Sequence, residues 1–287
     1  MHAEPKAGES RVSNLVQRLL TAAVLIPILV ASMFFEATAW SISCASALAA
    51  GLAGDEFLRM SLGVKPEGGG DRALGLRVPF ALASLAIIYA NLLLGTSGAM
   101  APIMFACAVV MAVAVLARKA HLPDAGHHLA YSLAGLAYVP MLACVWPLLK
   151  KDFGPEWLFL ALAVAFGSDT VAYFAGRAFG KRKLYEAVSP KKTIAGALGG
   201  LVGGVLAMVG FGHLWLTPNM PVMHAVVLGL LGSALGQVGD LVASMIKRTF
   251  GVKDSGNVLP GHGGMLDRVD GLLFVAPLIF YYAKMHL

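Results

Sequence analysis

Charge is scarce in this chain. Asp, Glu, Lys and Arg make up 13% of its 287 residues and hydrophobic residues 58%, where a soluble globular domain carries about 25% charge. That balance excludes a water-soluble domain and a disordered one alike. Cysteine is rarer still. Cys44, Cys107 and Cys144 stand singly in apolar stretches, with no metal-ligand spacing, and read as packing residues. No second His stands at a helical spacing from His262, which argues against zinc. No nucleophile elbow surrounds any Ser. The net charge of +6 comes from Lys and Arg in short connections with no appended basic domain, so nucleic acid is not expected as a partner.

What remains is oil. Mean hydropathy is +0.75, and nine apolar stretches of spanning length are centred near residues 26, 45, 85, 108, 139, 166, 204, 233 and 279. The expected fold is all-α, a polytopic integral membrane protein of about nine transmembrane helices. The first stretch, LLTAAVLIPILVASMFF, follows Arg11 and Arg18 but lacks a convincing cleavage site, so it reads as a retained helix. Lys and Arg accumulate on cytoplasmic loops. With nine spans and a cytoplasmic N-terminus, only Lys150, Lys151 and Lys284 of the 22 Lys and Arg residues fall on the outer side. The reactive side is therefore expected to face the cytoplasm, where nucleoside triphosphates are.

The polar residues divide the chain. Residues 1–150 read as scaffold helices with short connections, and residues 151–287 as a catalytic half in which polar groups enter the helices. The segment Lys65 to Asp71 reads as a plain connector, and Asp55 and Glu56 as a solvated helix end. Gly196, Gly199, Gly200, Gly203 and Gly204 recur every three or four residues, a spacing that lets helix backbones approach closely in lipid.

Three segments carry chemistry. In the first, Asp169, Tyr173 and Arg177 are spaced by four and share a helical face, and a carboxylate inside a span is a functional candidate by default. An Asp169-to-Arg177 pairing that stitches helices together is the structural use of the same residues. Lys181, Arg182, Lys183, Lys191 and Lys192 follow, beside the hydroxyls of Ser189 and Thr193. Pro190 and Thr193 stand at the entry to the glycine-rich helix, whose free N–H groups favour an anion such as a triphosphate. In the second segment, Asp240, Ser244, Lys247 and Arg248 fall at offsets of 0, 4, 7 and 8 and line one stripe; an Asp-to-Lys bridge within the helix is its structural use. In the third, Gly261, Gly263 and Gly264 around His262 allow a close backbone approach, and Asp267 and Asp270 share a face three residues apart. Asp240, Asp267 and Asp270 together make a hard-oxygen set suited to Mg²⁺, which borrows its remaining oxygens from substrate phosphates.

These segments resemble the phosphatidate cytidylyltransferases, or CDP-diacylglycerol synthases. Ser244, Lys247, Arg248, Lys253, Asp254, Pro260, His262, Gly263, Gly264, Asp267, Arg268 and Asp270 stand at places matching that family's signature. The likeness continues upstream through Asp169, Ala172 and Tyr173, Gly180 and Lys181, Ser189 and Pro190, Lys192 and Thr193, and the opening RLLTAAVLIP. Ala195 before Gly196 departs from the family, which usually has a larger polar residue there.

The resemblance implies transfer of a cytidylyl group from CTP to phosphatidic acid, giving CDP-diacylglycerol and pyrophosphate for phospholipid biosynthesis. Asp240, Ser244, Lys247, Arg248, His262, Asp267, Arg268 and Asp270 are the expected catalytic residues. Asp169, Tyr173, Lys181, Ser189, Lys192, Thr193, Lys253, Asp254, Gly263 and Gly264 are the expected substrate contacts. Mg²⁺, with a possible second cation, is the expected cofactor, on Asp240, Asp267 and Asp270. CTP, phosphatidic acid and membrane lipids are the expected partners, with a homodimer implied by the family, and the bacterial inner membrane is the expected location. Cytidylyl transfer to another lipid phosphate, or a membrane transporter, are the alternative readings.

Overall fold

A computed structural model describes residues 27–34, 39–63, 74–95, 100–118, 122–217, 219–258 and 263–287. The Lys65-to-Asp71 connector, Arg11, Arg18, Pro260, Gly261 and His262 lie outside the described residues, as does most of the span centred near residue 26. Long helices dominate: α1 (Trp40–Ser61), α2 (Leu74–Leu94), α3 (Met100–Ala117), α4 (Leu122–Tyr138), α5 (Pro155–Phe179), α6 (Ile194–Ala207), α7 (Val222–Thr249) and α8 (Leu266–His286). Short helical turns and a π-turn over Leu149–Phe153 extend α4, and a second π-segment, Met208–Leu216, extends α6.

By length and composition, six helices among the described residues can cross a membrane: Leu74–Leu94, Met100–Ala117, Asp124–Phe153, Pro155–Phe179, Ile194–Leu216 and Val222–Thr249. This is a multi-pass membrane protein, and its described residues hold six qualifying spans where the sequence predicts nine along the whole chain. Helices α1 and α8 are as long but more polar, because α1 carries Asp55, Glu56 and Arg59 while α8 carries Asp267, Arg268, Asp270 and Lys284.

One element departs from an all-helical chain. β1 (Lys183–Tyr185) and β2 (Ser189–Thr193) pair antiparallel, with Lys183 opposite Thr193. The two basic runs around Lys183 and Lys192 are thus the arms of one hairpin. Lys183 Nζ closes it by donating to the Pro190 carbonyl at 2.5 Å.

The glycines of α6 serve close packing. A side chain at Gly203 would stand 2.6 Å from the Gly167 carbonyl of α5, so any larger residue would push the two helices apart. Between α6 and α7 the Ser233 hydroxyl donates to the Gly200 carbonyl at 2.7 Å. The Ser168 and Ser233 hydroxyls are 2.6 Å apart. Helix α7 then packs on α8, where a Cβ at Gly239 would lie 2.5 Å from the Asp270 carbonyl.

Charged groups collect at one end of this bundle. Asp55 of α1 pairs with Arg77 at the start of α2, and with Arg59 at 2.9 Å. The same end holds the hairpin, the C-terminus of α7 and the N-terminus of α8. At the opposite end, Lys150 donates to the Ser32 carbonyl at 2.7 Å and Lys151 to the Leu92 carbonyl at 2.6 Å. The three cysteines are free thiols.

Candidate active site

Helix α7 presents its polar stripe at the charged end. The Ser244 hydroxyl donates to Asp240 Oδ1 at 3.3 Å, one turn along the same face. Asp240 and Lys247 do not bridge each other. Asp240 Oδ2 meets Lys192 Nζ at 2.5 Å, a cation delivered by β2. Lys247 Nζ meets Asp267 Oδ1 at 2.5 Å, on the first turn of α8. Lys247 is only 9% exposed, and an ammonium so far from water requires a partner. Two ion pairs therefore fix three elements against one another: the hairpin to α7, and α7 to α8.

A cavity of about 530 Å³ opens beside Asp240. Its walls include Asp169 and Tyr173 from α5, Lys192 and Thr193 from β2, and Gln237 and Asp240 from α7. The Thr193 oxygen accepts the Gly196 amide at 3.1 Å as the N-cap of α6, so one of the amides that could bind an anion is used within the chain. Arg177 also reaches the cavity, and its Nη1 donates to the Tyr173 hydroxyl at 3.3 Å, in place of the Asp169 pairing that spacing allows. Gln237 was not singled out in the sequence, although it lies three residues before Asp240 on the same face. Its amide donates to the Ala197 carbonyl at 3.1 Å and braces α6.

The carboxylates sort into two groups. Asp169, Asp240 and Asp270 lie within electrostatic reach of one another, with Lys192 and Arg268 near Asp169 and Lys247 near Asp270. The buried Tyr138 hydroxyl of α4 lies within the same reach of Asp240 and Asp270. Asp267 belongs elsewhere. While Oδ1 holds Lys247, Oδ2 accepts the Ser255 amide at 2.9 Å, the Ser255 hydroxyl at 3.0 Å and the Gly264 amide at 3.3 Å.

The other described residues expected at the site lie outside these two groups. Arg248 braces the hairpin through the Val188 carbonyl at 3.4 Å and its own helix end through Val252 at 2.9 Å. Lys181, Lys253, Asp254 and Arg268 are exposed, and Ser189 is half-buried. Gly263 has a φ of 80°, a left-handed conformation that side chains resist. Gly264 makes room for protein atoms: a Cβ there would lie 2.5 Å from Glu56 Oε2 and closer still to the Ser255 hydroxyl. Glu56 is the largest surprise. The sequence reads it as a solvated helix end, yet it is 3% exposed; three donors from the other half of the chain replace its water.

Among the described residues no three His, Cys, Asp or Glu side chains form a metal-holding group. The donors at the cavity are nevertheless hard oxygens. Asp169 and Asp240 line the cavity and Asp270 lies within electrostatic reach of both; carboxylates of this kind suit a cation that completes its shell with phosphate and water oxygens, as Mg²⁺ usually does. Fully engaged by Lys247, Ser255 and Gly264, Asp267 is placed to orient that lysine.

A polytopic helical membrane protein, with paired carboxylates and cations gathered at one end around a cavity, is the class that this fold and site define. A profile of the cytidylyltransferase family matches residues 16–286, and the chain belongs to that family. It is 43% identical over 130 residues to a phosphatidate cytidylyltransferase of Bacillus subtilis (strain 168), covering 45% of this chain and 48% of the relative. A phosphatidate cytidylyltransferase of Brucella abortus biovar 1 is 44% identical over 157 residues, 52% of this chain and 55% of its own. An uncharacterized Escherichia coli protein, YnbB, is 40% identical over 154 residues, 54% of this chain and 50% of its own. The chain spans about half the length of the curated relatives it matches.

Proposed function

We propose that this chain transfers the cytidylyl group of CTP to phosphatidic acid, yielding CDP-diacylglycerol and pyrophosphate. The observation that carries the reading is the cavity of about 530 Å³ at the charged end of a membrane bundle, walled by Lys192, Asp169 and Asp240. Relatives named phosphatidate cytidylyltransferase support it. A lipid substrate whose tails remain in the bilayer needs a site at the end of such a bundle, where its headgroup can meet a water-soluble nucleotide.

The reaction joins two anions. An oxygen of the lipid phosphate attacks the α-phosphorus of CTP, a new P–O bond forms, the bond to the β-phosphate bridge breaks, and pyrophosphate leaves with that electron pair. The attacking phosphate is already ionised near neutral pH, so no strong general base is required. Catalysis of this kind depends on positioning and charge neutralisation. Lys192 and Lys247, each held by a carboxylate, have fixed directions from which to meet phosphate oxygens, while Arg248 and Arg268 can offer two-pronged contacts. Ser244 and His262 would orient the reactants by hydrogen bonding. Tyr173, Lys181, Ser189, Thr193, Lys253 and Asp254 would contact substrate around the rim, along with the backbone at Gly263 and Gly264.

Mg²⁺ would be held by Asp240 and Asp270, and when bound would neutralise phosphate charge during transfer. The clustering of cations at the site's end of the bundle supports a cytoplasmic orientation in a bacterial inner membrane.

The test is direct. The full chain, purified in detergent with CTP, phosphatidic acid and Mg²⁺, should release pyrophosphate and form CDP-diacylglycerol. Pyrophosphate release that ignores phosphatidic acid, or that is faster with another lipid phosphate, would overturn the acceptor assignment.

A further inference from the structure

The charged end of the bundle is tied to the N-terminal half by one buried carboxylate. Glu56 sits in the last turns of α1 at 3% exposure, and a carboxylate out of water is tolerated only where donors surround it. Three do. Oε1 accepts the Met265 amide at 2.8 Å; Oε2 accepts the Leu266 amide at 2.9 Å and the Ser255 hydroxyl at 2.7 Å. Met265 and Leu266 open α8, so Glu56 stands at the positive end of the helix that carries Asp267, Arg268 and Asp270.

The contact does not stop at the helix end. The Ser255 hydroxyl has one proton and two carboxylates in range, Glu56 Oε2 at 2.7 Å and Asp267 Oδ2 at 3.0 Å. The Ser255 amide donates to that same Asp267 oxygen at 2.9 Å, and the other Asp267 oxygen holds Lys247 at 2.5 Å. A continuous chain of short polar contacts thus runs from α1 through Ser255 and Asp267 to the lysine on α7.

We propose that Glu56 is a positioning residue for cytidylyl transfer, setting the direction of Asp267 and through it Lys247 by way of Ser255 and the first turn of α8. The proposal rests on the functional reading given above. A carboxylate is needed because three donors converge on it. Glutamine offers one acceptor oxygen, and its NH₂ would confront at least one N–H or O–H. The glycine at 264 belongs to the same device, since any side chain there would occupy the space where Glu56 and Ser255 meet.

The experiment uses the full chain in detergent and compares Glu56→Gln and Ser255→Ala with wild type. The readouts are kcat, KM for CTP and for phosphatidic acid, the Mg²⁺ concentration for half-maximal rate, thermal midpoint, and amide hydrogen exchange over residues 251–268. Glu56→Gln is expected to lower kcat about 10- to 100-fold, the usual cost of losing a partner that orients a reacting group, with a smaller change in KM and faster exchange at Met265 and Leu266. Ser255→Ala retains both backbone contacts to Glu56, so it is expected to lower kcat with little change in thermal midpoint. Wild-type kcat, KM and Mg²⁺ dependence in a folded Glu56→Gln protein would reduce Glu56 to a helix cap and overturn the proposal. Should Glu56→Gln fail to fold, Ser255→Ala decides, and wild-type kinetics in that variant overturn it equally. A wild-type chain that releases no pyrophosphate sinks the cytidylyl reading instead. The coupling is then judged by exchange alone, and unchanged exchange at residues 263–267 in Ser255→Ala rejects it.

Discussion

Lys192 Nζ, carried by a hairpin strand, rests 2.5 Å from Asp240 Oδ2 on a membrane helix. The pair is about three-tenths exposed on both sides, so its worth to folding is small; it holds a cation at the cavity wall while the acid stays near Asp169 and Asp270. Asp240→Asn is expected to reduce CTP-dependent pyrophosphate release at least about 100-fold, the scale for losing a charge-stabilising group. Size-exclusion behaviour and helical content should remain those of the wild type, and retained turnover would remove Asp240 from the reacting centre.

The Lys247–Asp267 pair behaves differently because both side chains are nearly buried, at 11% and 10% exposure. Removing one partner of a buried pair leaves an uncompensated charge at a cost of about 3–5 kcal/mol. Asp267→Ala and Lys247→Ala should each lower the thermal midpoint in detergent. The double variant should be less destabilised than the sum of the two, and additive losses would show that the pair is not coupled.

Divalent ion removal offers a third measurement. EDTA is expected to stop product formation by the wild type, and added Mg²⁺ to restore it. Asp270→Asn should need a higher Mg²⁺ concentration for half-maximal rate, whereas Asp55→Asn, in the separate pair with Arg77 and Arg59, should not. Equal Mg²⁺ dependence in wild type and Asp270→Asn would remove that carboxylate from the metal assignment.

Two glycine substitutions separate space from flexibility. Gly264→Ala places a methyl group against Ser255 and Glu56, so it should destabilise the fold and cut activity together. Gly210→Ala has open space around the new carbon and lies in a helical segment, so it should be neutral or slightly stabilising. Comparable thermal midpoints for the two variants would contradict the packing described around Gly264.

Helices with long apolar runs were readable because hydrophobicity and length suffice to mark them, and each described helix from α2 to α8 overlaps a stretch singled out in the sequence. The span count was less readable. Helices α1 and α8 hold apolar stretches but also bring polar groups into the bundle, and neither is among the six described helices that qualify as spans by length and composition. Asp169, Asp240, Lys247, Asp267 and Asp270 were legible as polar residues out of place in oil, and Lys192 as part of a basic run at the entry to the glycine-rich helix. Their pairing was not. Helical spacing permits an Asp240-to-Lys247 bridge, but the hairpin and α8 supply closer partners, and no local pattern announces a tertiary contact. Glu56 was misread for the same reason: its donors, Ser255, Met265 and Leu266, lie some two hundred residues away, and a carboxylate at a helix end looks solvated until the opposite half of the chain is in place. The hairpin was hidden because its two strands are only three and five residues long, KLY and SPKKT, too short for an alternating pattern to stand out.

The lysines at the far end give the bundle an electrical polarity sharper than a residue count conveys. Lys150 and Lys151 direct their ammonium groups at the carbonyls of Ser32 and Leu92, so part of their charge is absorbed by peptide dipoles within the protein. A phosphate group approaching either rim would meet a stronger pull at the end where Arg177, Lys191 and Lys192 line the cavity. Under the proposed reaction, both anionic reactants would therefore gather at that end of the bundle before any specific contact forms.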